Sequence, residues 1–307
     1  MTDARSDTAA NSPDGLAHEP DAPAEGPAAQ AAEAPAPPKA GRDLRAAVGV
    51  GLLLAGLVIG SLVWDPRAFL VVLVVAVTFG AWEVRRAVAT RGMVVPLVPL
   101  LLGAVGMLVS AYLRGAEALV VTLGLTVVGL LVWRVADGLD GAARDLSGSA
   151  LVVFYPLFLG GFASLMLAAP DDGRQRIVVF ILVTAFSDIG GYAVGVVWGR
   201  HPMAPSLSPK KSWEGFAGSV ATCAAVGAVS LPLLLDGGWW AGALLGVAAA
   251  AGATLGDLIE SSIKRDLGIK DMGALLPGHG GLMDRLDSLV IVAPVAWALL
   301  LWFVPLS

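Results

Sequence analysis

Charged residues are scarce in this chain of 307 residues, because Asp, Glu, Lys and Arg make up only 15% of it, whereas about 25% is usual in a soluble domain. The single cysteine, Cys223, lies in an apolar run, which excludes an internal disulfide and a cysteine-ligated zinc site. Neither a GxxxxGKS/T loop nor a GxGxxG loop before a helix occurs, so nucleotide binding cannot be argued from those motifs. Hydrophobic residues make up 56% of the chain, a composition typical of a bilayer protein.

The net charge of -5 comes from an acidic N-terminal segment. Met1 to Ala40 is rich in Ala, Pro, Asp and Glu, and it cannot bury enough apolar surface to offset its ordering entropy. We therefore expect a disordered tail over residues 1–43 and one membrane domain over residues 44–307. The tail lacks the basic start and apolar core of a signal peptide, so neither cleavage nor export is predicted. The charge is local, and no nucleic-acid partner is expected.

Nine apolar stretches approach the roughly 20 residues that cross a bilayer as a helix. They are approximately Ala46–Trp64, Ala68–Trp82, Val94–Leu113, Ala118–Trp133, Ala150–Ala168, Ile177–Val197, Phe216–Leu235, Trp239–Leu255 and Ser288–Val304. The second stretch is short. The pattern predicts an all-α polytopic membrane protein with about nine transmembrane helices.

The placement of Lys and Arg tests this count, because cytoplasmic loops accumulate these residues. If nine spans alternate, only Arg67, Arg114, Arg174 and Arg176 lie on one side, and the other 16 of the 20 basic residues lie on the opposite side. A span missed early in the chain would destroy this asymmetry. We therefore expect a multi-pass protein of the cell membrane, with its tail inside and its C-terminus outside.

Two polar segments interrupt the apolar pattern, Ser187–Gly215 and Gly256–Ser288, and both belong to the predicted cytoplasmic side. If the eighth span continues as a helix past Leu255, then Asp257, Ser261 and Lys264 share one helix face. At the start of the ninth span, Asp284 and Asp287 lie three residues apart and share a face, whereas Arg285 points elsewhere.

Carboxylates mixed with cations at a membrane surface suit a polyanionic substrate that is bound with Mg²⁺, because Asp oxygens hold this hard cation and Lys or Arg neutralise phosphate. The alternative is an exposed loop with ordinary ion pairs. Asp188 favours the functional interpretation, since an ionisable residue inside a predicted span is costly. His279, in the sequence GHGG, is a phosphate donor or only a turn residue. Lys210 and Lys211 either bind phosphate or anchor the following span at the membrane surface.

The sequence SSIKRDLGIKDMGALLPGHGGLMDRLD, from Ser261 to Asp287, resembles the signature of the phosphatidate cytidylyltransferase family. That signature reads S-x-apolar-K-R, four residues, K-D, and later H-G-G-apolar-x-D-R-x-D, and every specified position is met. DIGGY and SPKKSWEG resemble a second stretch of the same family, so the likeness covers about the C-terminal half. Ile189 departs from it, because many relatives carry a hydroxyl residue there.

The resemblance implies a multi-span α-helical enzyme that uses Mg²⁺, with Asp257 and Asp284 as the metal ligands. A phosphate oxygen of phosphatidate would attack the α-phosphorus of CTP and release pyrophosphate, with no covalent enzyme intermediate. Ser261, Lys264 and Arg265 would line the same polar cavity, and Asp287 would close it. The full set of candidate catalytic residues is Asp257, Ser261, Lys264, Arg265, Asp284, Arg285 and Asp287. The candidates for binding the substrates are Asp188, Lys210, Lys211, Lys270 and His279.

Two other functions deserve comparison. DGLDGAARD, from Asp137 to Asp145, looks similar to the DGxxAR motif of CDP-alcohol phosphotransferases, but its spacing is one residue too short and the downstream Asp pair is missing. A transporter would use Asp188 and the acidic residues to bind a coupling cation, but it would be expected to show a matching polar segment in the other half of the chain. For the enzyme, the expected partners are CTP, phosphatidate and membrane lipid. The oligomeric state is open, with a homodimer as one alternative.

Overall fold

A computed structural model describes residues 40–138, 140–273 and 280–306, and for residues 40–48 only the backbone. The predicted tail, His279 and the C-terminal Ser307 lie outside the described residues. The tail and its boundary therefore stay predictions.

The described chain is built from ten α-helices and one short hairpin. The helices are α1 Ala40–Trp64, α2 Pro66–Ala89, α3 Leu97–Arg114, α4 Ala116–Asp137, α5 Ala142–Val152, α6 Leu159–Leu167, α7 Gly173–Trp198, α8 Trp213–Leu235, α9 Trp239–Leu267 and α10 Met283–Phe303. A π-helical turn, Val153–Phe158, joins α5 to α6 around Pro156, which has no N–H to donate within a helix.

Eight helical segments of the described chain are long and apolar enough to cross a membrane, with α5 and α6 counted as one. A shorter apolar helix, Gly49–Trp64, corresponds to the first predicted span. The prediction of an all-α multi-pass membrane protein is confirmed, and the helix count agrees with it approximately.

The second span is longer than predicted. Asp65 caps its start by accepting a hydrogen bond from the Arg67 backbone N–H at 2.6 Å, and Pro66 follows at the first helical position. The helix then continues past Trp82 to Ala89, through Glu83. The hydropathy pattern ended this span at its first charged residue, but Glu83 is buried and therefore lies inside the packed bundle.

Contacts bring the loops that follow α2, α4, α7 and α9 to one end of the bundle. The Val94 backbone N–H donates to Asp145 at 2.9 Å, which joins the α2–α3 loop to the start of α5. Arg91 in the same loop donates to the Asp266 carbonyl near the end of α9. These are the loops that the Lys and Arg count assigns to a single side, and the identity of that side stays a prediction.

The opposite end of α10 is held by a residue of α7. Arg176 is buried, and its guanidinium donates to the Val304 carbonyl at 2.7 Å and to the Leu300 carbonyl at 3.3 Å. Asp172 balances its charge through an ion pair of 2.7 Å. The C-terminal end of α10 is thereby tied to the start of α7.

Helices α7, α8 and α9 pack closely because small residues lie at their contacts. A Cβ atom on Gly242 of α9 would lie only 2.6 Å from the carbonyl carbon of Gly227 on α8, so no side chain fits there. The antiparallel hairpin of β1 (Pro202–Ala204) and β2 (Ser208–Ser212) connects α7 to α8. The sequence does not predict this hairpin, because its short strands lack a clear alternating pattern.

Candidate active site

A cavity of about 370 Å³ lies between α7, α8, α9 and the hairpin. Its lining includes Asp188 of α7, Lys211 of β2 and Asp257 of α9. The structure therefore brings together residues from both polar segments. Serine hydroxyls contribute further polar groups to its wall. They belong to Ser187, Ser208, Ser212 and Ser219.

Asp257 has a partner on each of its carboxylate oxygens. Lys211 forms an ion pair with Oδ2, and the Ser288 hydroxyl of α10 donates to Oδ1 at 2.6 Å. Asp257 of α9 thus connects the hairpin to α10. The side chains of Asp257 and Lys211 are 24% and 27% exposed, so this pair can be reached from the cavity.

About two helical turns further along α9, Lys264 lies between two carboxylates. It pairs with Glu260 on its own helix and with Asp284 of α10, whose Oδ1 lies 2.9 Å from the ammonium nitrogen. Asp284 also accepts hydrogen bonds from the backbone N–H groups of Gly281, at 2.7 Å, and Met272, at 3.1 Å. Asp284 therefore fixes both the loop that precedes α10 and the first turn of that helix.

Four carboxylates cluster where α9 meets α10 and the π-helical turn. The Tyr155 side chain lies within electrostatic range of all four, and its hydroxyl is buried without a hydrogen-bond partner among the described residues. The carboxylates are those of Asp257, Glu260, Asp284 and Asp287. Arg285 of α10 is exposed and lies within electrostatic range of Asp188.

A second cavity, of about 300 Å³, is rich in cations and lies beside the first. Its wall includes the hydroxyls of Ser208 and Ser261, and among the described residues it includes no carboxylate. The cations are Lys210, Lys264, Arg265 and Lys270. Strand β2 borders both cavities, because Ser208 and Lys210 line each of them. The predicted face of α9 is therefore divided, with Asp257 in the first cavity and Ser261 in the second.

Glu214, at the start of α8, anchors the hairpin that carries the two lysines. Its carboxylate accepts hydrogen bonds from the backbone N–H groups of Arg200, at 3.1 Å, and His201, at 3.2 Å. The Trp213 N–H donates to the His201 carbonyl at 3.0 Å, which closes the base of the hairpin. These contacts fix the entry and exit of the hairpin, so they also define the position of Lys211.

Within the described ranges, no group of three or more His, Cys, Asp or Glu side chains is arranged to hold a metal ion. Lys211 and Lys264 form ion pairs with Asp257 and Asp284. The clustered carboxylate oxygens are the donor type that Mg²⁺ prefers, so the chemistry of the donor set fits this ion.

Comparisons with known proteins identify the family of this chain. A model of the cytidylyltransferase family matches residues 45–303. The chain belongs to the cytidylyltransferase family. The family predicted from the Ser261–Asp287 signature is thereby confirmed.

Relatives in this cytidylyltransferase family match most of the chain. A phosphatidate cytidylyltransferase of Mycobacterium bovis is 42% identical over 295 residues, which cover 91% of this chain and 95% of the relative. One of Mycobacterium leprae is 41% identical and covers 86% of this chain and 89% of its own length. One of Brucella suis is 35% identical over 60% of this chain and 66% of its own length.

The DGLDGAARD segment, from Asp137 to Asp145, has a structural role. Asp145 is buried and forms ion pairs with Arg134, at 3.3 Å, and Arg144, at 3.5 Å. Asp137 and Asp140 are exposed acids of the α4–α5 connection. The segment therefore fastens that connection to the bundle and lies away from the two cavities.

Four acidic or polar groups around the site are not predicted by the sequence patterns. Glu260 lies three residues after Asp257, and this spacing shares a helix face just as the four-residue spacing of Ser261 does. Glu214 follows the lysine pair at the start of α8, and no sequence pattern assigns it a role. Tyr155 and Glu83 lie in apolar spans far from the signature, and only the tertiary fold brings them to the site.

Proposed function

We propose that this chain transfers a cytidylyl group from CTP to phosphatidate and produces CDP-diacylglycerol and pyrophosphate. The observation that carries this assignment is the pair of adjoining cavities, one lined by the carboxylates of Asp188 and Asp257 and the other by four cations. Triphosphate and lipid phosphate are both polyanions, and they require such cations when they approach each other.

In the proposed reaction, a phosphate oxygen of phosphatidate forms a bond to the α-phosphorus of CTP. The bond between that phosphorus and the oxygen bridging to the β-phosphate breaks, and pyrophosphate leaves. The lipid phosphate is already a competent nucleophile, so the transfer depends on positioning and charge neutralisation rather than on a general base.

The cationic cavity would bind phosphate groups and the departing pyrophosphate. Lys264 and Arg265 project from the last turns of α9, and Lys210 and Lys270 face them from the hairpin and the α9–α10 loop. Arg265 suits the planar, two-point contact that phosphate oxygens allow, whereas the lysines act as point charges.

We further propose that Asp257 and Asp284 hold Mg²⁺, with Asp287 and Glu260 close enough to contribute to the field of the site. The ion would supply charge neutralisation at the phosphates when it is bound. Lys211 and Lys264 form ion pairs with these carboxylates, so each lysine would exchange a carboxylate partner for substrate phosphate.

The site is proposed to face the cytoplasm of a cell-membrane protein. CTP is a cytosolic nucleotide, and the loops around the site hold the larger share of the Lys and Arg residues. The acyl chains of phosphatidate would stay in the bilayer beside the exposed apolar surfaces of the helices.

The decisive experiment uses the purified protein in detergent with cytidine-labelled CTP, phosphatidate and Mg²⁺. The proposal expects a lipid-soluble labelled product, and it expects loss of that product when Mg²⁺ is removed or when labelled ATP replaces labelled CTP. Protein that forms no product under any metal condition would contradict the proposal and favour the transporter alternative. Consumption of CDP-diacylglycerol with a free alcohol would instead favour a CDP-alcohol phosphotransferase.

A further inference from the structure

A carboxylate from the second span lies against the first turn of α10. Glu83 on α2 is 1% exposed, and its Oε2 accepts a hydrogen bond from the Met283 backbone N–H at 2.7 Å. Two hundred residues separate the two partners in sequence. Glu83 is therefore the contact through which α2 reaches the helix that carries Asp284.

The start of α10 needs an acceptor from elsewhere. Met283 is its first residue, and the N–H groups of a first helical turn have no carbonyl partner within the helix. A Ser, Thr, Asp or Asn at the preceding position normally accepts one of them, but Leu282 stands there and makes no side-chain cap. Glu83 supplies the acceptor, and its negative charge suits the positive end of the helix dipole.

Two glycines make room for this carboxylate. A Cβ atom on Gly281 would lie 2.8 Å from Glu83 Oε2, and one on Gly273 would lie 2.6 Å from the Glu83 carboxyl carbon. The backbone N–H of Gly281 also donates to Asp284 at 2.7 Å. The same short loop is thus held between Glu83 on one side and Asp284 on the other.

If Glu83 served only to stabilise the fold, its burial would carry an unfavourable free energy of desolvation. A carboxylate buried among packed helices loses its hydration, and Glu83 Oε1 has no hydrogen-bond partner within the described ranges. An apolar side chain of similar size would fill the space at lower cost. The hydrogen bond to Met283 instead indicates that Glu83 orients the first turn of α10.

We propose that Glu83 is a positioning residue for cytidylyl transfer, holding the N-terminus of α10 so that Asp284 and Asp287 face Glu260 and Lys264 of α9. This inference rests on the proposed function, since the reaction supplies one of its two measurements. Glu83 acts through Asp284 and touches no substrate in this role.

The test compares Glu83→Ala with a matched variant at the other end of the same helix, Arg176→Met. Both changes remove a buried cross-helix tether of α10, one from its first turn and one from its last. We expect Glu83→Ala to lower kcat per folded molecule by about 100-fold, as a small displacement of a catalytic group does, with the KM for CTP nearly unchanged. Arg176→Met should lower thermal stability but keep kcat within about threefold, because the site remains in place.

Hydrogen exchange of the peptide over residues 280–290 provides a second readout that needs no activity. Glu83→Ala should speed exchange in that peptide, whereas Arg176→Met should not. Glu83→Gln keeps one acceptor oxygen, so it should restore most of the protection and bring kcat to within about tenfold of the unaltered protein.

Gly273→Ala tests the same contact without altering Glu83, and it also covers the case in which Glu83→Ala does not fold. Its methyl group would push the carboxylate off Met283, so kcat should fall. In the double variant with Glu83→Ala the methyl group has space, so the two losses should be far from additive.

Equal kcat losses per folded molecule in Glu83→Ala and Arg176→Met, or additive losses in the double variant, would overturn the positioning role. An unaltered protein without transferase activity would refute the proposed function. In that case the hydrogen-exchange difference alone would decide whether Glu83 holds α10.

Discussion

Lys264 on α9 and Asp284 on α10 form an ion pair across the interface of the two helices, with 2.9 Å between Nζ and Oδ1. Glu260 pairs with the same ammonium from the side of α9. Lys264 is 16% exposed, whereas its two partners are 3% and 7% exposed, so the cation separates two nearly buried like charges. The stability of this part of the site and its chemistry therefore depend on the same side chain.

Replacing Lys264 with Met should destabilise the protein more than replacing any other cation of the cationic cavity. Glu260 and Asp284 would face each other with no cation between them, and breaking a buried pair costs about 3 to 5 kcal/mol. Lys270→Met is the control, because Lys270 is exposed and such a change is usually within about 0.5 kcal/mol. Unfolding by SDS in mixed micelles measures the difference, and equal free energies of unfolding would contradict the prediction.

Asp284→Asn should abolish transfer, and it should destabilise the metal-free protein less than Lys264→Met does. If Asp284 and Asp257 only shared an ion, removing one charge would relieve repulsion and leave stability unchanged or higher. The contacts with Lys264, Gly281 and Met272 instead predict a loss of about 1 to 3 kcal/mol, because these donors lose a charged acceptor, while Glu260 still neutralises the lysine.

The measurement for Asp284→Asn combines metal-free unfolding with transfer assays over a range of Mg²⁺ concentrations. Ser261→Ala, on the neighbouring cavity wall, is a suitable comparison for the unfolding part. An Asp284→Asn protein whose folded fraction keeps normal turnover would refute the proposed metal-ligand role.

The spans could be predicted because each is a continuous apolar run, and the bilayer requires such a run to close its own hydrogen bonds as a helix. Glu83 is an exception to this rule. A charged residue normally marks the end of a span, but this one is buried where α2 meets α10, and its partner is 200 residues away. No local pattern contains that contact.

The site was predictable to the extent that its residues come from the two polar segments. Asp188, Lys211 and Asp257 do line one cavity, although α7, β2 and α9 contribute one residue each. The division into two cavities was not predictable, because strand β2 runs between them and a five-residue strand has too few positions to show its alternation. Tyr155 could not be found either, since a tyrosine in an apolar span is ordinary until the fold places it beside four carboxylates.

The cationic cavity predicts a selective effect on nucleotide binding. Arg265→Gln should raise the KM for CTP by about tenfold, equivalent to about 1.4 kcal/mol, because a two-point phosphate contact is lost while the lysines remain. Arg114→Gln, an exposed cation at the end of α3 on the predicted opposite side, is the control and should leave KM unchanged. Steady-state assays at saturating phosphatidate give both values, and a KM that rises equally in both variants would point to a general charge effect.

The orientation of the bundle can be tested with single cysteines and a maleimide that does not cross membranes. Lys270→Cys would lie in the α9–α10 loop beside the cationic cavity, and Arg114→Cys would lie at the end of α3, which the Lys and Arg distribution assigns to the outside. Native Cys223 is buried between α7 and α8, where its thiol donates to the Val183 carbonyl, so it should contribute little background. In sealed cells we expect labelling of Arg114→Cys alone, and in permeabilised cells labelling of both. Labelling of Lys270→Cys in sealed cells would reverse the topology and separate the site from cytosolic CTP, which would contradict the proposed reaction as well as the orientation.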